Sequence, residues 1–328
     1  MTTPFTRLLA VAATVAAAAL PAAAYDRVVI FGDSLSDSGN NAIVLGTAPD
    51  QVVSGNSYIP TFAYGSGTYS NGAVWATSFA AGLGLDALPS LAGGTNYAYG
   101  GAVTRGGVYP PSLRDQVNLF AGSGSVGDVS DTLFVIAGGG NNARGAIEAI
   151  AGGAAPLLTT LLTASRYATD VGLMVDQLQG LGAASIVVWN TPNLGLTPAV
   201  MAEGSTASTI GSFVSSRMNS ALANRLAGEA GVLTFDIFGI LGQVAADPAA
   251  YGFANVVDAC GAVLGCDPAS YLFWDGIHPT SGGHALITAE MNALLGITPA
   301  VPEPGALWLF ACGGVVLLLR RRFAAARQ

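Results

Sequence analysis

Residues 28–40 read VVIFGDSLSDSGN. The first four are apolar, which is the pattern of a short strand that is buried in a sheet. The strand stops at Gly32-Asp33-Ser34, so a hydroxyl group follows its end directly. Glycine permits a tight turn there, and a helix that starts after the turn would leave backbone N–H groups free to hold an oxyanion. Taken alone, the triplet is more typical of a turn with a Ser or Asp cap than of a nucleophile.

Similar apolar runs recur along the chain and alternate with helical patterns. Strand-like runs that end in Gly, Asn or Asp clusters occupy residues 27–31, 132–137, 185–189 and 232–236. Helical stretches occupy residues 73–83, 156–181, 206–230 and 281–295, and Gly182 is a candidate cap of the second. Residues 38–72 are rich in Gly, Ser, Asn and Pro, which predicts a long loop over one end of the sheet. Alternating strands and helices predict a parallel sheet between two layers of helices, with the working face at the carboxyl ends of the strands.

The charge balance argues against two classes of partner. Between residues 25 and 300 there are 19 acidic residues and 7 arginines, a balance of −12, and the chain contains no lysine. Nucleic-acid binding needs a basic stripe, which this acidic body does not offer. Docking on anionic lipid is disfavoured for the same reason. Hydrophobic residues make up 51% of the 328 residues, which is ample material for a core.

Both ends of the chain have the pattern of targeting segments. Residues 1–24 carry one cation, Arg7, then an apolar stretch over 8–20 and a run of three alanines. This pattern predicts a secretory signal that is cut before Tyr25. A membrane anchor is the alternative, although the apolar stretch is short for a span. Residues 25–300 would then form the exported body, and residues 301–328 form a separate tail.

The tail has three parts in a fixed order: Val301-Pro302-Glu303-Pro304, 14 apolar residues over 306–319, and the arginines at 320–322. It resembles the PEP-CTERM sorting signal of exopolysaccharide-making Gram-negative bacteria. The resemblance implies a transient anchor in the inner membrane, processing by an exosortase-type transpeptidase near the Pro-Glu-Pro, and a final place at the cell surface or in the extracellular matrix. An ordinary tail anchor is the alternative, and the arginines fit the positive-inside rule in either case.

Export also bears on the cysteines. Cys260 and Cys266 are the two in the body, and an oxidising compartment would favour a disulfide between them. Such a bond would staple the loop that precedes Asp275. We expect no metal site here, because no histidine lies near the pair.

Three further stretches contain groups that suit catalysis. In Asp275-Gly276-Ile277-His278, the carboxylate can reach the imidazole within one turn and fix its tautomer. Histidine suits the role of general base near neutral pH, although a surface histidine before a helix is the alternative. Asn141 and Asn142 follow a run of three glycines after the second strand, and Gly100-Gly101 lies in NYAYGGA, residues 96–102. An asparagine amide or a glycine N–H can donate to a carbonyl oxygen, but each stretch alone is more often a plain loop.

FGDSLSDSGN, NYAYGGA, GGGNN and DGIHP occur in this order between residues 31 and 279. In this the chain resembles the GDSL, or SGNH, hydrolase family of lipases and esterases, and residues 187–198 also resemble secreted bacterial members. The resemblance implies an α/β/α sandwich with a flavodoxin-like parallel sheet. It implies Ser34 as nucleophile and oxyanion donor, and Asp275 and His278 as the rest of a triad. Gly101, or the adjacent Gly100, and Asn141 complete the oxyanion hole by the same resemblance.

The resemblance further implies hydrolysis of a carboxylic ester through an acyl-enzyme, without metal or cofactor. It leaves the substrate open between small esters, lipids and acetylated sugars, so a polysaccharide O-deacetylase is one alternative. A catalytically weak matrix or adhesion protein is another. Its only support is Asn142, which stands where the family usually has aspartate and which we interpret as a supporting position. His284 has no role in the pattern and is expected at a structural or surface position, while Trp75, Trp189 and Trp274 are expected in the core or the cleft wall.

Overall fold

The computed structural model describes residues 25–45, 67–124 and 126–297. The expected leader (1–24), the sorting tail (301–328) and most of the expected loop at 38–72 lie outside these residues. Among the helices of the described segments, none is both long and apolar enough to cross a membrane.

The central sheet has four parallel strands in the order β1-β2-β3-β4. The strands are Arg27–Gly32 (β1), Thr132–Ala137 (β2), Ser185–Trp189 (β3) and Val232–Phe235 (β4). The four strands expected from the apolar runs are therefore confirmed. The fourth ends one residue earlier than expected because the carboxylate of Asp236 caps the following helix, where it accepts from the N–H of Gly239 at 2.9 Å.

A short extended segment lies on the free side of β1 and gives the sheet its flavodoxin-like order. Ile30 donates its N–H to Thr95 at 3.1 Å and accepts from Tyr97 at 2.7 Å, and Gly32 accepts from Tyr99 at 3.2 Å. The segment that follows β1 in sequence thus pairs with one side of β1, and β2 pairs with the other. If this segment is counted as the second strand along the chain, the strand order is 2-1-3-4-5. The direction in which strands are added reverses at β1, which makes it the switch point. The carboxyl end of β1 is where Ser34 follows.

Nine α-helices surround the sheet in the part of the chain that is described. They are Asn40–Leu45 (α1), Trp75–Gly82 (α2), Leu113–Gly122 (α3), Gly140–Ala151 (α4), Pro156–Gly180 (α5), Pro198–Ala202 (α6), Ser205–Leu226 (α7), Ile237–Ala246 (α8) and Ser281–Leu294 (α9). A small second sheet pairs Asn255–Ala259 (β5) with Tyr271–Phe273 (β6). The four expected helices correspond to α2, α5, α7 and α9, and Gly182 follows α5 with φ +100°, as a glycine cap does.

One expectation about the loops is wrong for residues 40–45, whereas residues 46–66 of the same stretch lie outside the described residues. The stretch at 38–72 was expected to lack regular structure, yet α1 occupies its first part. Asp37 starts this helix, because its Oδ1 accepts from the N–H groups of Gly39 and Asn40 at 2.8 and 2.7 Å. The cap is Asp37, directly before the stretch whose Gly, Ser and Asn content suggested a loop.

Alternate residues of the strands face two separate cores. Val29, Phe31 and Phe134 pack with α3, α4, α5 and α7 on one side of the sheet. Ile30 and Val135 pack with α2, α8 and α9 on the other. This is the three-layer α/β/α sandwich that was expected. Trp75 and Trp189 lie in the second core with ring centroids 4.6 Å apart, whereas Trp274 is half-buried.

Candidate active site

Three side chains from distant parts of the sequence form a continuous hydrogen-bonded chain above the carboxyl end of β1. The Oγ of Ser34 lies 2.8 Å from Nε2 of His278, and Nδ1 of His278 lies 2.6 Å from Oδ2 of Asp275. All three residues are buried, with His278 only 1% exposed. The structure thus brings together the three residues that the sequence predicted as a triad, with the imidazole between the hydroxyl and the carboxylate.

The loop between β6 and α9 holds the imidazole in place through its own backbone. The Oδ1 of Asp275 accepts from the N–H groups of Ile277 and His278 at 2.8 and 2.7 Å, so one carboxylate both shapes the turn and orients the ring. Trp274 donates its N–H to the carbonyl of His278 at 2.8 Å. Tyr69 packs against the imidazole from the opposite part of the chain, with ring centroids 5.3 Å apart. The three-residue spacing of Asp and His therefore produces a rigid, oriented base.

Gly32 allows the turn that presents Ser34. A Cβ at this position would lie 2.7 Å from the carbonyl oxygen of Ala137, which belongs to the neighbouring strand. Both backbone groups of Gly32 are bound by one side chain, because the carboxamide of Gln116 accepts from its N–H at 2.8 Å and donates to its carbonyl at 2.9 Å. The end of β1 is thus fixed from both sides, and the position of Ser34 with it.

The backbone around residue 100 distinguishes the two candidate glycines. Gly100 donates its N–H to Oδ2 of Asp37 at 2.9 Å, so this group is already used. The N–H of Gly101 has no hydrogen-bond acceptor among the residues that the structure describes, and neither has the N–H of Ser34. Gly101 has φ +84°, a conformation that favours glycine. This arrangement favours Gly101, rather than Gly100, as an oxyanion donor.

Asn141 lies at the start of α4 and lines the same pocket as Ser34 and His278. Its amide nitrogen donates one hydrogen to the carbonyl of Ala102 at 2.9 Å, and no other described residue accepts its second amide hydrogen, which suits a ligand. Gly101 precedes Ala102 and lies outside the residues that line this pocket. The hydrogen bond from Asn141 to Ala102 nevertheless fixes Asn141 relative to Gly101, the other expected oxyanion donor.

Asn142 supports the loop that carries the glycines. Its Oδ1 accepts from the N–H of Thr104 and its amide donates to the Thr104 hydroxyl, both at 3.1 Å. That hydroxyl donates in turn to Asp170 at 3.1 Å. The contacts agree with the interpretation of residue 142 as a supporting position.

Asp37, Asn40 and Asn41 bind the backbone of the glycine loop at residues 96–100. The sequence motifs predicted no role for these side chains. Asp37 accepts from Gly100, as described. Asn40 donates its amide to the carbonyls of Asn96 and Ala98 at 2.8 and 2.9 Å, and Asn41 donates to that of Gly100 at 3.0 Å. Each of these contacts spans more than fifty residues of sequence. The one sequence signal for these side chains was the helix start expected directly after the Gly-Asp-Ser turn, and it does not identify their distant partners.

Two buried carboxylates near Ser34 in the sequence, those of Asp33 and Asp37, have raised pKa values. Burial raises the pKa of Asp33 to about 6, against the N–H of Leu35 and the charges of His278 and Arg144, which lower it. Burial also raises the pKa of Asp37, although four backbone N–H groups donate to its carboxylate and oppose the shift. Asp33 and Arg144 both line the pocket of Ser34, and the sequence motifs predicted a role for neither.

His284 belongs to the core. It is 1% exposed, and its Nδ1 accepts from the N–H of Trp75 at 3.2 Å. Burial, together with the charge of His278, lowers the pKa of His284 to about 3. The expectation of a structural or surface position therefore resolves to a structural one.

Cys260 and Cys266 lie close together beside the His278 loop. Their Cα atoms are 5.6 Å apart, a separation that suits a disulfide. The N–H of Gly261 donates to the carbonyl of Trp274 at 2.8 Å, which connects this loop to the residue before Asp275. No group of three or more His, Cys, Asp or Glu side chains that could hold a metal ion occurs within residues 25–45, 67–124 and 126–297.

Comparison with known proteins assigns the family. The family model described as GDSL-like Lipase/Acylhydrolase matches residues 28–291. Esterase EstA of Pseudomonas aeruginosa is 30% identical over 319 residues, which cover 83% of this chain and 47% of that protein. A GDSL esterase/lipase of Arabidopsis thaliana is 28% identical over 304 residues, covering 80% of this chain and 86% of the relative. The chain thus spans about half the length of EstA.

A solved structure of an alpha/beta hydrolase enzyme from the metagenome of Lake Arreo, Spain, aligns with 83% of this chain and 95% of its own. The sequence identity is 13% and the TM-score is 0.45.

Proposed function

The chain belongs to the GDSL-like lipase and acylhydrolase family, and from this premise we propose that it hydrolyses carboxylic esters through an acyl-enzyme on Ser34. The observation that carries the proposal is the chain of hydrogen bonds from the Ser34 hydroxyl through His278 to Asp275, at 2.8 and 2.6 Å. A serine hydroxyl needs a neighbouring base to act as a nucleophile, and the base needs an orienting partner. Both are present at hydrogen-bond distance.

In the first half of the reaction, Nε2 of His278 takes the proton of the Ser34 hydroxyl while Oγ forms a bond to the ester carbonyl carbon. The carbonyl oxygen becomes an oxyanion. The N–H groups of Ser34 and Gly101 and the free amide hydrogen of Asn141 would donate to it. Asp275 keeps the proton on Nδ1 and stabilises the imidazolium that forms.

The tetrahedral intermediate then breaks the bond to the alcohol oxygen, and His278 returns its proton to the departing alcohol. The acyl group stays on Ser34. Water attacks this acyl carbon as His278 removes its proton. His278 then returns that proton to Oγ of Ser34 as the bond between Oγ and the acyl carbon breaks, and a carboxylic acid leaves. The steps use groups of this chain and one water molecule.

A polar groove beside Asn141 favours a second candidate, the removal of acetyl groups from a polysaccharide. The groove has a volume of about 790 Å³. Its lining includes several hydroxyl, amide and charged side chains: Thr104, Arg105, Asn142, Thr163, Arg166 and Asp170. Such groups suit an alcohol that carries many hydroxyls. A catalytically weak matrix protein is the remaining alternative, and the aligned Ser34, His278 and Asp275 argue against it.

A substrate panel separates these candidates. The purified protein would be given p-nitrophenyl esters from acetate to palmitate and, in parallel, acetylated oligosaccharides, with release of nitrophenol and of acetate as readouts. We expect hydrolysis of the simple esters. Faster release of acetate from the oligosaccharides than from p-nitrophenyl acetate would establish the second candidate instead. Hydrolysis of neither kind of ester would contradict both and favour the matrix protein.

We infer further that the protein is exported and that an exosortase-type enzyme processes its tail. The support is the leader pattern of residues 1–24 and the Pro-Glu-Pro motif with its apolar run and arginines. The approach of Cys260 to Cys266 fits a disulfide made in an oxidising compartment. The membrane would then be a transient partner through the tail alone, and the mature protein would reside at the surface or in the matrix of a Gram-negative cell.

A further inference from the structure

A second pocket opens directly beside the pocket of Ser34. Each has a free volume of about 60 Å³. Five residues line both of them: Leu35, Pro192, Leu194, Thr197 and Ile277. Leu35 follows Ser34 in the chain and Ile277 precedes His278. The second pocket therefore adjoins the pocket that contains Ser34 and His278.

The walls of this second pocket are apolar and come from three elements that the catalytic residues do not use. α8, β6 and α9 supply most of the far wall, with Ile237, Ile240, Val244, Phe273, Leu286 and Ile287. Thr197 is the one lining residue with a side-chain hydroxyl among those described, and it already donates to the carbonyl of Leu194 at 2.7 Å. Water in such a space finds few hydrogen-bond partners, so an apolar group can displace it at little cost.

We propose that this space is the acyl pocket: it binds the hydrocarbon chain of the acyl group, and it selects esters of short to medium saturated acids. The inference rests on the proposed function and specifies its substrate. The pocket of Ser34 shares Asn141 with the polar groove and none of the five residues that it shares with the apolar pocket, so the two parts of an ester would meet surfaces of matching chemistry. The described residues thus assign acyl-chain choice to α8, β6 and α9.

The size of the acyl pocket sets the expected selectivity. Burial of one methylene group in apolar surroundings should raise kcat/KM by about three- to fivefold. A free volume of about 60 Å³ is several times the minimum that one water molecule needs, so it holds a chain of only a few carbons. We therefore expect kcat/KM to rise from acetate to an optimum between about butanoate and octanoate, and to fall for longer chains.

Substitutions at Ile240 test the proposal in both directions. Ile240 is half-buried on α8, so a change there is less disruptive than one in the fully buried core. p-Nitrophenyl esters of two to twelve carbons vary the acyl chain while the alcohol stays constant. We expect Ile240→Trp, which fills the pocket, to lower the ratio of kcat/KM for hexanoate to that for acetate by about tenfold or more. Ile240→Ala should move the optimum to longer chains.

Gln243→Trp is the matched control. It places the same ring on the same helix at an exposed position outside the acyl pocket, and it should keep the wild-type chain-length profile. An unchanged profile in both Ile240 variants, with the optimum still present, would overturn the acyl pocket and leave ester hydrolysis standing. So would an equal shift in the Gln243 variant. Failure of the wild type to cleave any ester would overturn the proposed function as well, so the two failures are distinguishable.

Discussion

Adjacent residues of the same type have different tasks at this site. Gly100 gives its N–H to Asp37, whereas the N–H of Gly101 has no acceptor in the described part of the chain. Asn141 faces the pocket of Ser34, whereas Asn142 holds Thr104. In each pair one residue supports the loop and the other is available to the substrate. The distinction depends on which hydrogen bonds are already made, which a sequence does not record.

The two asparagines give a direct test of this distinction. Asn141→Ala should lower kcat by about 10²–10³ with little change in KM, because its amide would donate mainly to the transition state. Asn142→Ala should lower kcat by only about tenfold, because its two hydrogen bonds with Thr104 are each worth only about 1 kcal/mol and act on the loop indirectly. Steady-state kinetics on p-nitrophenyl butyrate measures both. A crippled Asn142→Ala beside a mildly affected Asn141→Ala would show that the assignment is off by one residue.

Sequence reasoning reached Ser34, Asp275 and His278 through the resemblance of four short motifs, in order, to the GDSL family, although each motif alone is more typical of a turn or loop. Each motif, such as Gly-Asp-Ser at a strand end or a carboxylate three residues before a histidine, lies within a few positions, so the set can be compared with a family pattern. Asn40, by contrast, binds partners 56 and 58 residues away, and the ring of Tyr69 packs on His278 from the other end of the chain. Such roles depend on how distant elements meet, and no spacing rule predicts them.

The same limit applies to whole elements. The four strands were predictable because each is a compact apolar run. α4 was missed because it begins with glycine and two asparagines, which read as a loop, although it forms directly after β2 and presents Asn141. α3 carried a usable signal that the sequence analysis did not use. Ser112 and Asp115 form a reciprocal capping box at its start.

α2 and α9 are joined by a buried histidine that should make the fold sensitive to acid. Trp75 is the first residue of α2, and His284 of α9 accepts its N–H, which no side chain at Val74 caps. The pKa of His284 falls from the ordinary 6.5 to about 3 on folding. Below pH 6.5 the unfolded chain therefore binds a proton that the native protein does not. The stability that neutral, buried His284 contributes is present above pH 6.5. As the pH falls towards 3, the free energy of unfolding decreases by about 1.4 kcal/mol per pH unit for this reason.

His284→Asn removes this titration and can keep an acceptor for the Trp75 N–H. Urea unfolding at pH 7 and pH 5 should show the free energy of unfolding falling by about 2 kcal/mol more in the wild type than in the variant. Asp33, whose pKa is raised to about 6, acts in the opposite direction below that pH, but it does so in both proteins and cancels in the difference. Equal losses in the two proteins would contradict the buried, neutral state of His284.

At the scale of the whole molecule, the two proposed targeting segments predict a mass. Protein recovered from the surface or medium of its native host should begin at or near Tyr25 and end close to Pro304. The 14 apolar residues of the tail are fewer than the roughly 20 that span a hydrocarbon core of about 30 Å, so they suit a transient anchor. Intact mass spectrometry measures both ends. A recovered protein that still carries the arginines at 320–322 would mean a permanent anchor.

The central claim of the account is that the hydroxyl of Ser34 is the nucleophile. The sheet order brings the end of β1 to the switch point, the surrounding loops leave the N–H of Ser34 without an acceptor in the described part of the chain, and His278 lies 2.8 Å from its oxygen. The most direct test is the turnover of p-nitrophenyl butyrate by Ser34→Ala, with Ser36→Ala as control from the same turn. The kcat of Ser34→Ala should be about 10⁴–10⁶-fold lower than that of the wild type, at an unchanged thermal melting temperature. Ser36→Ala should keep most of the wild-type activity. A Ser34→Ala protein that melts like the wild type and retains a tenth of its activity would contradict the account.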